Sequence, residues 1–171
     1  MRCWLMGLLV LMACGPSSDD IVTNLRSDNP AVREDTAKIA RNFGSDAVNA
    51  ALIEILVDPM EKTRLNAIES LVELEAVEAV PALALLLETD PSDLVKREAV
   101  DALGRLGDAS AVPNLIAYIE AREKERPPLN AIWALGFLEA PQSLELLVRL
   151  REHDDLYVAW NANQALRNLR P

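Results

Sequence analysis

Val95-Lys96-Arg97-Glu98-Ala99-Val100-Asp101-Ala102-Leu103-Gly104-Arg105-Leu106-Gly107 is one instance of a pattern that recurs along the chain. The same pattern starts at Val32, Thr63, Pro127 and Val158, at intervals of 31, 32, 32 and 31 residues. Four residues after each start stand Thr36, Ala67, Ala99, Ala131 and Ala162. Eight after stand Ala40, Leu71, Leu103, Leu135 and Leu166, and eleven after stand Phe43, Leu74, Leu106, Leu138 and Leu169. Offsets of 4, 8 and 11 share one face of a helix with 3.6 residues per turn, so they predict a buried stripe. A fixed period of this length marks a repeat array, in which each unit buries its apolar face only against its neighbours.

A second helix is expected in every unit. Twenty residues after the start come Leu52, Leu83, Leu115 and Leu147, and three further on come Ile55, Leu86, Tyr118 and Leu150. Gly44 and Gly107 fall where the first helix should end, a position whose left-handed cap favours glycine. Pro81 and Pro113 fall where second helices should open, where a missing N–H costs little. Ile21 and Leu25 match Leu52 and Leu56, so residues 18–28 read as a lone second helix closing the front. The array is then half a unit, four full units and a final first helix ending near Arg170.

These residues resemble the short HEAT-like repeat of the phycobilisome-lyase type over nearly all of residues 20–170. The segment from Val95 through Leu115 is the nearest match; Arg33 and Arg64 also fit, Lys96 stands in third place, and Pro128 and Ala159 depart. The resemblance implies an all-α fold, a right-handed α-solenoid of about four and a half to five HEAT-like helical hairpins. Some members of that family attach bilins to light-harvesting proteins as paired subunits. That activity does not follow from the repeat alone, because a fold hosts many functions. A subunit of a lyase-like complex is therefore the alternative reading.

The first fifteen residues differ in character. Arg2 precedes an apolar run from Trp4 to Ala13. Ten residues of helix reach roughly 15 Å, half of a ~30 Å hydrocarbon core, so this run does not span a membrane. A charged start, a short apolar stretch and small residues have the layout of a secretory signal. Leu11-Met12-Ala13-Cys14 resembles the lipobox of bacterial lipoproteins, with Met12 bulkier than usual. The resemblance implies cleavage after Ala13 and lipidation of Cys14. The domain organisation expected is 1–13 as signal peptide, 14–20 as lipidated cysteine and tether, and 21–171 as the repeat array. Gly15 rather than aspartate follows the cysteine, which in the Gram-negative sorting pattern leans toward the outer membrane. The alternatives are an ordinary signal peptide or a cytosolic chain with an apolar start.

Composition narrows the chemistry. Apolar residues make up 50% of the 171, enough for a core and too many for wholesale disorder. A net charge of -10 would repel a phosphate backbone, so no nucleic-acid partner is expected. Two cysteines and one histidine are too few for a four-ligand zinc site. The cluster Glu152-His153-Asp154-Asp155 reads either as a partial metal site, with weak ligand geometry, or as a polar helix end with Asp154 or Asp155 capping the next helix; the second reading is preferred. No nucleophile pattern or phosphate loop is present, so neither catalytic residues nor a cofactor are expected.

Partner-binding candidates come from departures between units. Six residues after each start stand Lys38, Glu69, Asp101, Trp133 and Gln164; ten after stand Asn42, Glu73, Arg105, Phe137 and Asn168. Only the fourth unit is aromatic there. Trp133 and Phe137 are four apart, so they share a helix face, either exposed as a binding patch or covered by the charged segment 121–126 or a neighbouring helix. Tyr157 and Trp160 are expected to pack as an end cap. Glu54, Glu88, Glu120 and Glu152 lie on second helices, which line the concave surface in HEAT-like arrays. They read either as a solvated face or as a docking surface for a basic protein partner. The function expected is a membrane-anchored interaction module or scaffold of the bacterial envelope.

Overall fold

The stripes are buried where the period puts them. Ala40, Ala67, Leu71, Ala99, Leu103, Ala131, Leu135 and Ala162 are wholly buried. The offset-11 residues Phe43, Leu74, Leu106, Leu138 and Leu169, with Leu166, pack half-buried against that core. The structure is a computed structural model that describes residues 15–124 and 126–169. Cys14 and the expected signal segment lie outside the described residues.

Ten α-helices follow one another, with no strand among the described residues: α1 (Ser18–Leu25), α2 (Pro30–Ile39), α3 (Asp46–Glu54), α4 (Glu61–Glu73), α5 (Val80–Thr89), α6 (Asp93–Leu106), α7 (Val112–Glu120), α8 (Leu129–Phe137), α9 (Leu144–Arg151) and α10 (Leu156–Asn168). Helices α2, α4, α6, α8 and α10 stack in order as one continuous layer. α1 closes the front through Ile21 and Leu25, both buried. The chain is an α-solenoid of helical hairpins, as the period requires.

Local chemistry sets the helix ends. Ser17 and Asp20 form a reciprocal capping box at α1, and Asn29, Ser45, Ser92 and Asp155 cap α2, α3, α6 and α10. Pro81 and Pro113 stand in the first turns of α5 and α7.

The glycine expectation needs correction. Gly107 is left-handed (φ 74°), but Gly44 is not, because α2 runs on through a 3₁₀ turn at Ala40–Asn42 before the corner. The equivalent corners of the second and fourth repeats carry Glu75 (φ 52°) and Glu139 (φ 48°). Paired hydrogen bonds hold them there: the Glu75 N–H donates to Val72 O (3.0 Å) and the Ala76 N–H to Leu71 O (3.0 Å). The Glu139 and Ala140 N–H groups likewise donate to Gly136 O and Leu135 O. This is the Schellman pattern, adopted by a residue with a Cβ.

An arginine clamps each of the first two repeats, Arg64 buried and Arg33 partly buried. The Arg64 guanidinium donates twice to Asp90, from Nε to Oδ2 (2.7 Å) and from Nη2 to Oδ1 (2.9 Å). Its Nη1 donates to Asp58 O at 2.7 Å, so one side chain ties together the loops before and after its own hairpin. Arg33 repeats the arrangement with Asp58 and Ser27 O. Asp58 and Asp90 also accept the N–H two residues on, from Met60 and Ser92. Burial works to raise the Asp58 carboxyl, but the hydrogen bonds from Arg33 and Met60 and the charges of Arg33 and Arg64 hold it below its ordinary 3.8. Its folded value is depressed, so its share of stability is present above pH 3.8 and lost as pH falls below it.

Four variants test these devices. Glu75→Gly is expected to stabilise the fold by about 0.5–1 kcal/mol, and Gly107→Ala to destabilise it by about 1 kcal/mol, read as opposite shifts of Tm. A fall in Tm for Glu75→Gly would show that the corner is not strained. Asp90→Ala strands a buried guanidinium and should cost about 3–5 kcal/mol in urea unfolding, whereas Arg64→Met with Asp90→Leu should cost far less.

Candidate interaction surfaces

Trp133 and Phe137 stand on the outer face of α8 with their rings stacked, centroids 5.2 Å apart at 18°. They are 49% and 54% exposed, so neither segment 121–126 nor a neighbouring helix covers them. Tyr157 and Trp160 do not pack as an end cap; they are 74% and 59% exposed. The end-cap expectation fails because Val158, Ala162 and Ala165 supply the inward stripe of α10, leaving these aromatics on other faces. Trp133 and Trp160 both line a groove of ≈ 270 Å³, with Gly136, Asn161, Gln164, Ala165 and Asn168.

Gly136 makes that groove possible. A Cβ there would stand 2.6 Å from Ala165 Cα, so α8 and α10 approach closely only because position 136 has no side chain. Gly104 stands against Ala134 at the α6–α8 contact, where an added Cβ would lie a tight 3.2 Å from the Ala134 Cβ.

The glutamates of the second-helix row do not stand as free carboxylates at every step. Arg26 donates twice to Glu54, at 2.8 and 2.7 Å, and its hydrogen bonds hold that carboxyl below its usual range. Arg149 reaches Glu120 at 2.9 Å and Glu123 at 3.4 Å, and Arg151 reaches Glu152 at 2.9 Å. Glu88 forms no ion pair among the described residues and borders a cleft with Lys96 and Arg122. These pairs are exposed and each contributes little to stability.

His153 occupies the place that Asp58 and Asp90 hold in earlier repeats. Its Nδ1 accepts the Asp155 N–H at 3.0 Å, as those carboxylates accept from Met60 and Ser92. With Nδ1 accepting, Nε2 carries the proton and donates to Glu123 O at 3.3 Å. Asp155 then caps α10 by accepting the Tyr157 N–H at 2.8 Å. Among the described residues no three His, Cys, Asp or Glu side chains converge as a metal site would require.

One feature went unread in the sequence. A cleft of ≈ 560 Å³ opens between α6, α7 and α8, lined by Asp93, Leu94, Arg97, Tyr118, Arg122, Arg126, Pro128 and Asn130. The Arg122 guanidinium lies over the Tyr118 ring, 4.0 Å from its centroid. Burial raises the Tyr118 hydroxyl above its ordinary value against the opposing charge of Arg122, with Asp93 adding to the rise. The sequence signal was a positional one: Arg122 stands where the previous repeats have Asp58 and Asp90.

Comparison with known proteins places the chain. HEAT repeats match residues 18–102 and 80–167, and the chain belongs to the HEAT-repeat family. A chain of the complex of CpcE and CpcF of phycocyanin lyase from Nostoc sp. PCC7120 is similar at 27% identity and a TM-score of 0.72, over 92% of this chain and 66% of that one. This chain therefore spans just under two thirds of that lyase chain. An engineered protein (20% identity, TM-score 0.61, 89% of this chain and 78% of that one) and a designed armadillo repeat protein (19%, 0.57, 86% and 80%) share the fold. No curated protein matches by sequence.

Proposed function

We propose that this protein is a lipid-anchored protein-interaction module of the bacterial cell envelope, held by Cys14 and reaching outward through residues 15–17, since the expected tether to residue 20 is cut short by α1, which opens at Ser18. The observation that carries the binding part is the half-exposed Trp133–Phe137 stack, whose Trp133 lines one groove together with Trp160. Large aromatics held rigidly in water are what protein interfaces use as anchors, since they bury much area at little entropic cost. The surrounding Asn161, Gln164 and Asn168 supply the polar rim such anchors need. The row Glu54, Glu88, Glu120 and Glu152 is the lesser part of this reading. Its exposed pairs can exchange an internal arginine for a basic group of a partner at little cost.

The anchor rests on Leu11-Met12-Ala13-Cys14. Each acyl methylene buried in a bilayer contributes about 0.8 kcal/mol, and more than one chain makes attachment stable. The Gly15 position favours the outer membrane.

A second reading, a subunit of a lyase-like complex, is favoured by the likeness to the CpcE–CpcF complex. It requires a second subunit as companion, and saturable turnover by the reconstituted pair would favour it.

Cys14→Ala is expected to move the protein from the membrane to the soluble fraction and to abolish acyl incorporation. Membrane attachment unchanged in that variant would end the anchoring proposal. Trp133→Ala with Phe137→Ala should weaken recovery of the crosslinked envelope partner at least about tenfold while leaving Tm nearly unchanged. Undiminished recovery would remove the aromatic groove from consideration.

A further inference from the structure

The clamp that ties the first two repeats is inverted in the third. Arg33 and Arg64 are the second residues of their repeats, and each pairs with an aspartate five residues before the next start. The third repeat puts Lys96 and Arg122 at those two places, cation against cation. The fourth puts Pro128 and His153 there, so no arginine–aspartate pair forms from those two places either. In a chain of net charge -10, two positive groups occupy a junction built elsewhere around an ion pair.

Arg122 takes no acidic partner among the described residues. It lies over the Tyr118 ring, which fixes the guanidinium plane, and its Nη1 donates to Tyr118 O at 3.4 Å; the guanidinium also lines the cleft. Arg97 comes to the same cleft from α6 and Arg126 from the segment before α8. Among the described lining residues three guanidiniums stand with the one carboxylate of Asp93, and Arg97 also reaches the exposed Glu98 at 3.5 Å, so Arg122 and Arg126 supply the positive excess. Leu94 and Pro128 give it an apolar wall, and Tyr118 and Asn130 add neutral polar groups. A volume of ≈ 560 Å³ is the size of a small-molecule site rather than a protein-docking face.

We propose that this cleft binds a small organic dianion, a phosphate monoester or a dicarboxylate, gripped by Arg97, Arg122 and Arg126. Guanidiniums are the side chains whose planar fork matches both groups bidentately. The dianion supplies the negative charge that aspartate supplies in the first two repeats, and it bridges α6, α7 and the entry to α8. Binding therefore stiffens the third junction, next to the helix that carries Trp133 and Phe137.

The test is titration of the full chain in neutral detergent with glycerol 2-phosphate and with succinate, ionic strength matched by chloride. Binding is read by calorimetry and by amide NMR shifts. The expected result is saturable one-site binding by at least one of the two, with Kd about 1 mM or tighter. Shifts should concentrate at the start of α6, the end of α7 and the start of α8. Arg122→Gln and Arg126→Gln should each weaken binding at least about tenfold, and Arg41→Gln, remote from the cleft, should leave it unchanged. Because Arg122→Gln also disturbs Tyr118, Arg126→Gln carries the decision if the first variant unfolds. Non-saturating shifts spread over every exposed arginine would overturn the proposal. So would equal binding by Arg126→Gln, or binding to phosphatidylglycerol vesicles with none to either soluble anion.

Discussion

Arg64 and Asp90 meet where water does not reach them, and that contact fixes how one hairpin follows the next. A buried ion pair of this kind is not a large net source of stability, since desolvating both charges offsets most of their attraction. Its consequence is geometric. Arg64 is satisfied only with Asp90 on one side and the Asp58 carbonyl on the other, so the spacing of consecutive loops is set by a single side chain. Arg33 sets the preceding step in the same way. In an array whose units touch only their neighbours, errors of register would otherwise accumulate from unit to unit.

Later repeats use another device. Where the arginine is replaced by Lys96 and Pro128, glycines stand at the contacts between first helices instead. Gly104 admits Ala134, and Gly136 admits Ala165. A close backbone approach defines register by shape, as the ion pair defines it by charge. The front of the solenoid is thus keyed by charge and its rear by packing. The change of device frees the loop positions of the third repeat from structural duty, and it is there that the basic cleft opens. The same close packing brings α8 and α10 together and sets Trp133 and Trp160 on one groove.

The helices were legible because burial at offsets 4 and 8 leaves little chemical choice beyond small and apolar residues. The aromatic departure of the fourth repeat was legible for the same reason, as a break in a regular row. The corners were not. Glu75 and Glu139 enter the left-handed region because two backbone hydrogen bonds demand it, and no residue type announces that. Gly44 carried the usual signal, but a 3₁₀ turn ended its helix first. Tyr157 and Trp160 were misread because aromatic residues near the rear of an array suggest a cap, whereas the inward stripe of α10 was already filled by valine and alanines. The cleft was missed because Arg122 lies in a loop, outside the helical period that made everything else readable.

Charge decides how the two surfaces can be used. At physiological salt, fields are screened beyond about 8 Å. An anion at long range meets a protein of net charge -10 and is not drawn in. Only within the cleft, with Arg97, Arg122 and Arg126 at hand, does the local sign reverse. Affinity there must come from contact rather than steering, which favours a compact ligand whose charge sits at one end. The aromatic groove has the opposite character, depending on area and little on salt. The two lie on successive helices joined by close packing at Gly104 and Gly136, so order gained at the α6–α8 junction passes directly to the helix that bears the aromatic pair. A ligand that rigidifies the first surface lowers the entropic cost of binding at the second, and the coupling needs no change of shape.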